Sequence, residues 1–94
     1  LTEIKIPKWL VGRRESDFYI FRATIFVDSC IAKEIDELLK AGVITVNSCC
    51  GHNKYRGTVI VAEQSILDME RLGYKHCKET PYENWNNIFY TKTD

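Results

Sequence analysis

Neither sign of charge is in surplus: 13 Lys and Arg face 13 Asp and Glu, for a formal net charge of zero. Proteins that bind nucleic-acid backbone as their main task carry a basic excess, so the balance argues against that class and leaves only local patches. No apolar run approaches the ~20 residues of a membrane-spanning helix, and no membrane partner is expected. A charged-then-apolar leader is missing from the start, which points to a cytoplasmic setting. Low-complexity tracts and internal repeats are absent. So are the Gly-rich turn of dinucleotide binders and the Cys-x-x-Cys and His-Glu-x-x-His spacings of common zinc sites. The His-x-Glu and Pro-Cys-x-x-Cys pair of deaminases is lacking too. At 94 residues the chain is expected to form a single domain, residues 1–94. A domain this small buries only roughly 60–65% of its unfolded surface, so a bound metal would add useful folding energy.

What the chain does have is a concentration of soft ligands. Four cysteines and two histidines are present, and three of these six stand in Asn47-Ser48-Cys49-Cys50-Gly51-His52. In a cytoplasmic setting such thiols are expected to be reduced or metal-bound rather than cross-linked. Adjacent Cys49 and Cys50 are also awkward disulfide partners. The bland reading of the same residues is two small interior cysteines and a loop histidine.

Secondary structure follows from pattern. Residues 1–9 alternate weakly around Ile4 and Ile6 and meet Pro7, as in an edge strand. Residues 12–17 are a polar turn. Residues 18–27, rich in aromatic and β-branched side chains, read as a central strand covered on at least one face. Asp28-Ser29 then offers an N-cap. Ile31, Ile35, Leu38 and Leu39 recur at helical spacing, with Lys33, Glu34, Asp36, Glu37 and Lys40 on the other face. Gly42 stops this helix. Residues 43–46 and 58–62 are strands flanking the Cys-Cys-Gly-His loop. Ser65-x-x-Asp68 resembles a capping box before a short helix with Ile66, Met69 and Leu72 inside. Residues 74–77 and 88–91 are both candidates for a closing strand, and Thr80-Pro81-Tyr82-Glu83 opens a short helix between them.

From Phe18 the order strand, helix, strand, strand, helix, strand predicts an α+β fold. It is that of the ferredoxin-like split β-α-β sandwich (βαββαβ), with an extra N-terminal strand and a short C-terminal helix and strand. In that topology the first two core strands run parallel, so Cys30 arrives at the same sheet edge as Cys49, Cys50 and His52. If the fourth strand begins near Tyr74, His76 and Cys77 join them. Zinc takes four Cys or His ligands in a tetrahedron. Cys30, Cys49, Cys50 and His52 form one closed set; Cys30, Cys50, His52 and Cys77 form another. Adjacent cysteines tend to point apart; where only one of Cys49 and Cys50 reaches the ion, His76 or Cys77 takes the other's place.

Val27-Asp28-Ser29-Cys30-Ile31-Ala32 followed by Ser48-Cys49-Cys50-Gly51-His52 resembles a group of small uncharacterised proteins of bacteria and their phages. Those proteins pair V-D-x-C-I-A with S-C-C-G-H. The likeness covers roughly the middle third of the chain and continues loosely through residues 57–61. Asn53 stands where that group usually has Gly. What the resemblance implies is a shared metal site at Cys30, Cys50 and His52, with no particular activity. A fainter likeness is to the methyltransferase family of wybutosine synthesis, whose S-S-C-S-G-R loop follows a similar helix and strand. Here His52 replaces the Arg, and no methyl transfer is read from it.

Three functions compete. The first is a small zinc-binding protein whose metal organises one sheet edge. Asn53-Lys54-Tyr55-Arg56 beside it would contact a protein, a second copy or a nucleic acid, with Tyr55 stacking on a base and Lys54 and Arg56 on phosphates. A small zinc- or cysteine-dependent enzyme is the second: Cys30 or metal-bound water as nucleophile, His52 or His76 as base and Asp28 the one suitably placed acid. The shallow depth available to a small domain weighs against it. The third is a thiol redox sensor working through Cys49 or Cys50.

Overall fold

Alternation builds the first sheet. In β1 (Thr2–Lys5), Ile4 is buried while Glu3 and Lys5 are exposed, the period-two pattern of a strand covered on one face. A computed structural model describes residues 1–9, 14–15, 18–19, 24–51, 55–79 and 84–93. In it β1 runs antiparallel to β4 (Thr24–Val27), with Thr2 opposite Val27 and Lys5 opposite Thr24. Between them β2 (Arg14–Glu15) pairs with β3 (Phe18–Tyr19). The strand expected over residues 18–27 is thus represented by β3 and β4, while residues 20–23 lie outside the described residues. So do residues 12, 13, 16 and 17 of the expected turn. Within β4, Val27 is buried and Phe26 is 61% exposed, so this strand alternates rather than being apolar on both faces.

A 3-10 turn, Ser29–Ile31, enters α1 (Ala32–Lys40). The expected stripe of Ile31, Ile35, Leu38 and Leu39 is buried. Glu34, expected among the solvated charges, is a correction: it is only 8% exposed. Its position, three residues after Ile31 and four before Leu38, places it on the inner face. The helix closes at Gly42, whose φ is +94°. There the Val43 N–H bonds to Leu38 O and the Gly42 N–H to Leu39 O, the paired bonds of a Schellman stop.

The second sheet has the order β5-β6-β7, all antiparallel: β5 (Thr45–Cys49), β6 (Thr58–Val61) and β7 (Ile88–Tyr90). β5 begins later than residues 43–46 suggest and runs through Cys49. Ile44 is held differently, its N–H on the buried Ser65 hydroxyl and its carbonyl accepting the Ala62 N–H. Between Thr45 and Asn47 the register shifts, so Val46 is the extra residue of a bulge. Ser65 closes a 3-10 turn, Glu63–Ser65, before α2 (Ile66–Arg71). Its hydroxyl makes no cap bond; serving Ile44 instead, it overturns the capping-box reading. Met69 is fully buried, but Leu72 is 43% exposed and leaves the inner stripe.

Both candidates for the closing strand enter this sheet. β7 lies beside β6, and residues 75–77 lie on β7's other side. There His76 faces Phe89, the Tyr90 N–H bonds to Lys75 O and the Cys77 N–H to Ile88 O. The helix start at residues 80–83 lies outside the described residues. The protein is therefore mixed α+β, with two α-helices and small antiparallel sheets among the described residues. A ferredoxin-like order would seat β4 beside β6. Among the described residues that seat is held by β7, and β4 pairs with β1. Burial accounts for the exchange: Ile88 and Phe89 of β7 are 1% and 0% exposed, whereas β4 carries the exposed Phe26. The core joins Ile4 and Val27 of the first sheet to α1 and to Val59, Val61, Met69 and Phe89.

Buried Glu34 fastens the C-terminal residues to α1. Its Oε2 accepts the Tyr74 hydroxyl at 2.6 Å and the Lys92 N–H at 2.8 Å, and its Oε1 accepts the Thr93 N–H at 2.9 Å. Burial pushes this carboxyl up, but the bonds from Lys92, Thr93 and Tyr74 together outweigh it and hold its pKa below the ordinary 4.5. A lowered folded pKa contributes stability that is present above the unfolded value and lost as pH falls through the folded one. Acid titration of unfolding free energy should therefore show a loss beginning near pH 4.5 that is smaller in Glu34→Gln. Phe89→Ala should cost about 3–5 kcal/mol through the cavity it leaves, read from the chemical denaturation midpoint.

Candidate metal centre

Two loops distant in sequence meet through one hydrogen bond. Asp28 ends the strand β4 with extended backbone, and its carbonyl accepts the Ile31 N–H that closes the 3-10 turn. Asp28 caps this turn with no side-chain bond. Its carboxylate reaches instead across to the loop after β5, where Oδ2 accepts the Cys50 N–H at 3.0 Å. The reading of Asp28 as a helix cap is corrected accordingly. The 3-10 turn is further fixed by Thr2, whose hydroxyl donates to Ser29 Oγ at 2.7 Å. Cys30 stands exposed on that turn, two residues after Asp28.

On the other side, Cys49 is the last residue of β5 and Cys50 follows it; both are half-buried. Gly51 then reverses the chain with φ +76°, a left-handed conformation that glycine adopts at no steric cost. Its N–H lies 3.5 Å from Cys49 Sγ, a weak donor contact. A Cβ at Gly51 would also meet the Tyr55 ring at 3.2 Å and the Arg56 backbone at 3.3 Å. The loop is thus folded back upon itself. His52 and Lys54 lie outside the described residues. Tyr55 is 64% exposed, and the Arg56 guanidinium sits 4.0 Å above the Tyr90 ring. Beside Cys49, a depression of about 70 Å³ is lined by Asn47, Ser48, Cys49, Thr58, Ile60 and Ile88.

The expected convergence is therefore split. Asp28 brings the Cys30 turn and the Cys50 loop together. His76 and Cys77 are placed elsewhere: Cys49 pairs with Thr58, Thr58 with Tyr90, and Tyr90 bonds onward to Lys75. At ~4.8 Å per strand this sets residues 75–77 roughly 14 Å from Cys49. Two sulfurs on one zinc are within about 4 Å of each other. Cys77 is 1% exposed and lies against β7. Burial and bonds with Glu79 and with Cys77 push the Tyr90 hydroxyl up to about 12. The His76 imidazole packs 4.3 Å from the Phe89 ring, and its Nε2 is 2.8 Å from Glu70 Oε2. Among the described residues no three His, Cys, Asp or Glu side chains are grouped to hold a metal.

Gly57 was not singled out by sequence pattern, yet it closes the neck of this loop. A Cβ there would run into Thr91 Oγ1 and stand 3.1 Å from Cys49 O and 3.3 Å from Cys50 Cα. The available signal was a glycine immediately before a β-branched run, which often marks close backbone approach.

Comparison of the chain with protein-family models, with curated proteins and with solved structures finds no match. No helix among the described residues is long and apolar enough to cross a membrane.

The exposures predict an order of thiol labelling in chelator-treated protein: Cys30 first, Cys49 and Cys50 more slowly, and Cys77 only on unfolding. Peptide mass spectrometry of a timed alkylation reads that order directly, and fast labelling of Cys77 in folded protein would contradict the placement.

Proposed function

We propose that the chain is a small zinc-binding protein whose metal is gripped between the 3-10 turn bearing Cys30 and the loop bearing Cys49, Cys50 and His52. The observation that carries this reading is the bond from the Cys50 N–H to Asp28 Oδ2 at 3.0 Å. It spans 22 residues of sequence and holds two thiol-bearing turns side by side. The donor chemistry fits: cysteine thiolates and an imidazole are the usual ligands of zinc. Gly51 turns the chain towards His52 immediately after Cys50. With His76 and Cys77 across the sheet, the ligand set we favour is Cys30, Cys49, Cys50 and His52. A carboxylate on the amide of a ligating cysteine is the kind of outer partner that orients metal ligands. The metal would lock the loop, so that Tyr55 and the Arg56 guanidinium over Tyr90 present a fixed aromatic and cationic contact surface. We assign this surface to a protein partner or a nucleic acid. Reduced thiols of this kind suit the cytoplasm.

Metal analysis of untagged protein purified without chelator tests the reading. About one zinc per chain is expected, lost in Cys50→Ser and in His52→Ala and retained in His76→Ala. No zinc, with every thiol titrating freely, would sink it. Asp28→Ala should weaken zinc binding about 10- to 100-fold, the usual effect of losing an outer partner, and Asp28→Asn, which keeps an acceptor oxygen, should weaken it less. Competition with a chromogenic chelator measures both.

A further inference from the structure

The back of the cysteine loop is closed by a segment far from it in sequence. Residues 91–93 leave β7 and run past Gly57. The Thr91 N–H bonds to Gly57 O at 2.9 Å, and Thr91, only 4% exposed, sets its hydroxyl against the Gly57 Cα. On that same side Gly57 faces Cys49 O and Cys50 Cα, with no room for a Cβ. Thr91 and the Cys49-Cys50 backbone therefore close together over Gly57. The next two residues bring their N–H groups to the Glu34 carboxylate at 2.8 and 2.9 Å. Thr91 Oγ1 also donates to Thr93 O at 3.4 Å, bracing the segment internally. Glu34 itself is held by the Tyr74 hydroxyl at 2.6 Å, and Tyr74 lies under the Lys92 ammonium, 4.5 Å from its ring.

We propose that residues 91–93 act as a strap, anchored by Glu34, that sets the shape of the Cys49-Cys50 loop from behind, making Glu34 a positioning residue for these thiols. The charge is what the anchor needs. Each carboxylate oxygen accepts from a backbone N–H, one of them from Tyr74 as well. An amide in its place must turn an NH2 towards one of those donors. Buried carboxylate bonds of this kind are worth more than neutral ones, so releasing the strap loosens the packing on Gly57 and, through it, the loop neck. The consequence for metal affinity rests on the zinc reading above. The effect on the thiols does not.

The test is site-resolved alkylation of the full chain, chelator-treated, read by peptide mass spectrometry. Cys77, buried under β7, reports global unfolding, and exposed Cys30 reports the chemistry of the reagent. Glu34→Gln should speed labelling of Cys49 and Cys50 about tenfold, the factor expected for one lost charged hydrogen bond. Cys30 and Cys77 rates should stay unchanged. Gly57→Ala, whose methyl would push Thr91 off the Cys49-Cys50 backbone, should have the same selective effect. The double variant should fall short of the product of the two, since both release one contact. Unchanged Cys49 and Cys50 rates in Glu34→Gln would overturn the proposal. So would Cys77 rising in step with them, or fully multiplicative effects. In parallel, chelator competition should show weaker zinc binding in Glu34→Gln. Wild-type protein that binds no zinc would remove the metal reading while leaving the labelling result to decide the strap.

Discussion

Two carboxylates on one short stretch join the halves of this protein. Asp28, just before the 3-10 turn, accepts the Cys50 N–H. Glu34, in the first turn of α1, accepts the amides of Lys92 and Thr93 and the hydroxyl of Tyr74. All of these partners belong to the β5-β6-β7 half, whereas both acids belong to the half built from β1, β4 and α1. Apolar packing between the halves is real but non-directional. Carboxylates that accept backbone amides add direction, because only one relative placement satisfies their lone pairs. The turn that carries Cys30 is tied to the Cys50 loop by Asp28, and residues 91–93 are held behind that loop by Glu34.

This division separates affinity from placement in the proposed site. The thiols and the imidazole are the groups with chemistry for zinc, yet none of them positions itself. Cys30 depends on a turn pinned by Thr2 and Asp28; Cys49 and Cys50 depend on the end of β5 and on Gly57. A small domain has little core with which to make such loops rigid. Polar cross-links from neighbouring elements supply the order instead, and a metal would add to it. Tyr55 and Arg56 continue the same loop, which ties any contact surface there to the state of the thiols.

Helix α1 was legible residue by residue. Its stripe at Ile31, Ile35, Leu38 and Leu39 and its stop at Gly42 follow from local periodicity and from the one residue that adopts a left-handed stop freely. The bond that joins the Cys30 turn to the Cys50 loop was not legible, because it comes from Asp28, which pattern assigns to a cap. What misled was the assumption that polar residues act locally. Asp28 and Ser65 both sit where a cap is expected, and both spend their side chains on distant backbone, Cys50 and Ile44. Glu34 carries a charge that pattern alone assigns to solvent.

Sequence alone determined the main helices and strands and the donor groups the chain can offer, because helical and strand periods and the donor properties of Cys and His belong to neighbouring residues and to the side chains themselves. Tertiary structure alone decided which strand flanks β6, which carboxylates turn inward and which thiols share a side of the sheet. Those outcomes turn on competition between distant segments. Ile88 and Phe89 bury more completely than the strand that ends in Phe26 and Val27, and so take the seat beside β6. That exchange carries His76 and Cys77 three strands away from Cys49.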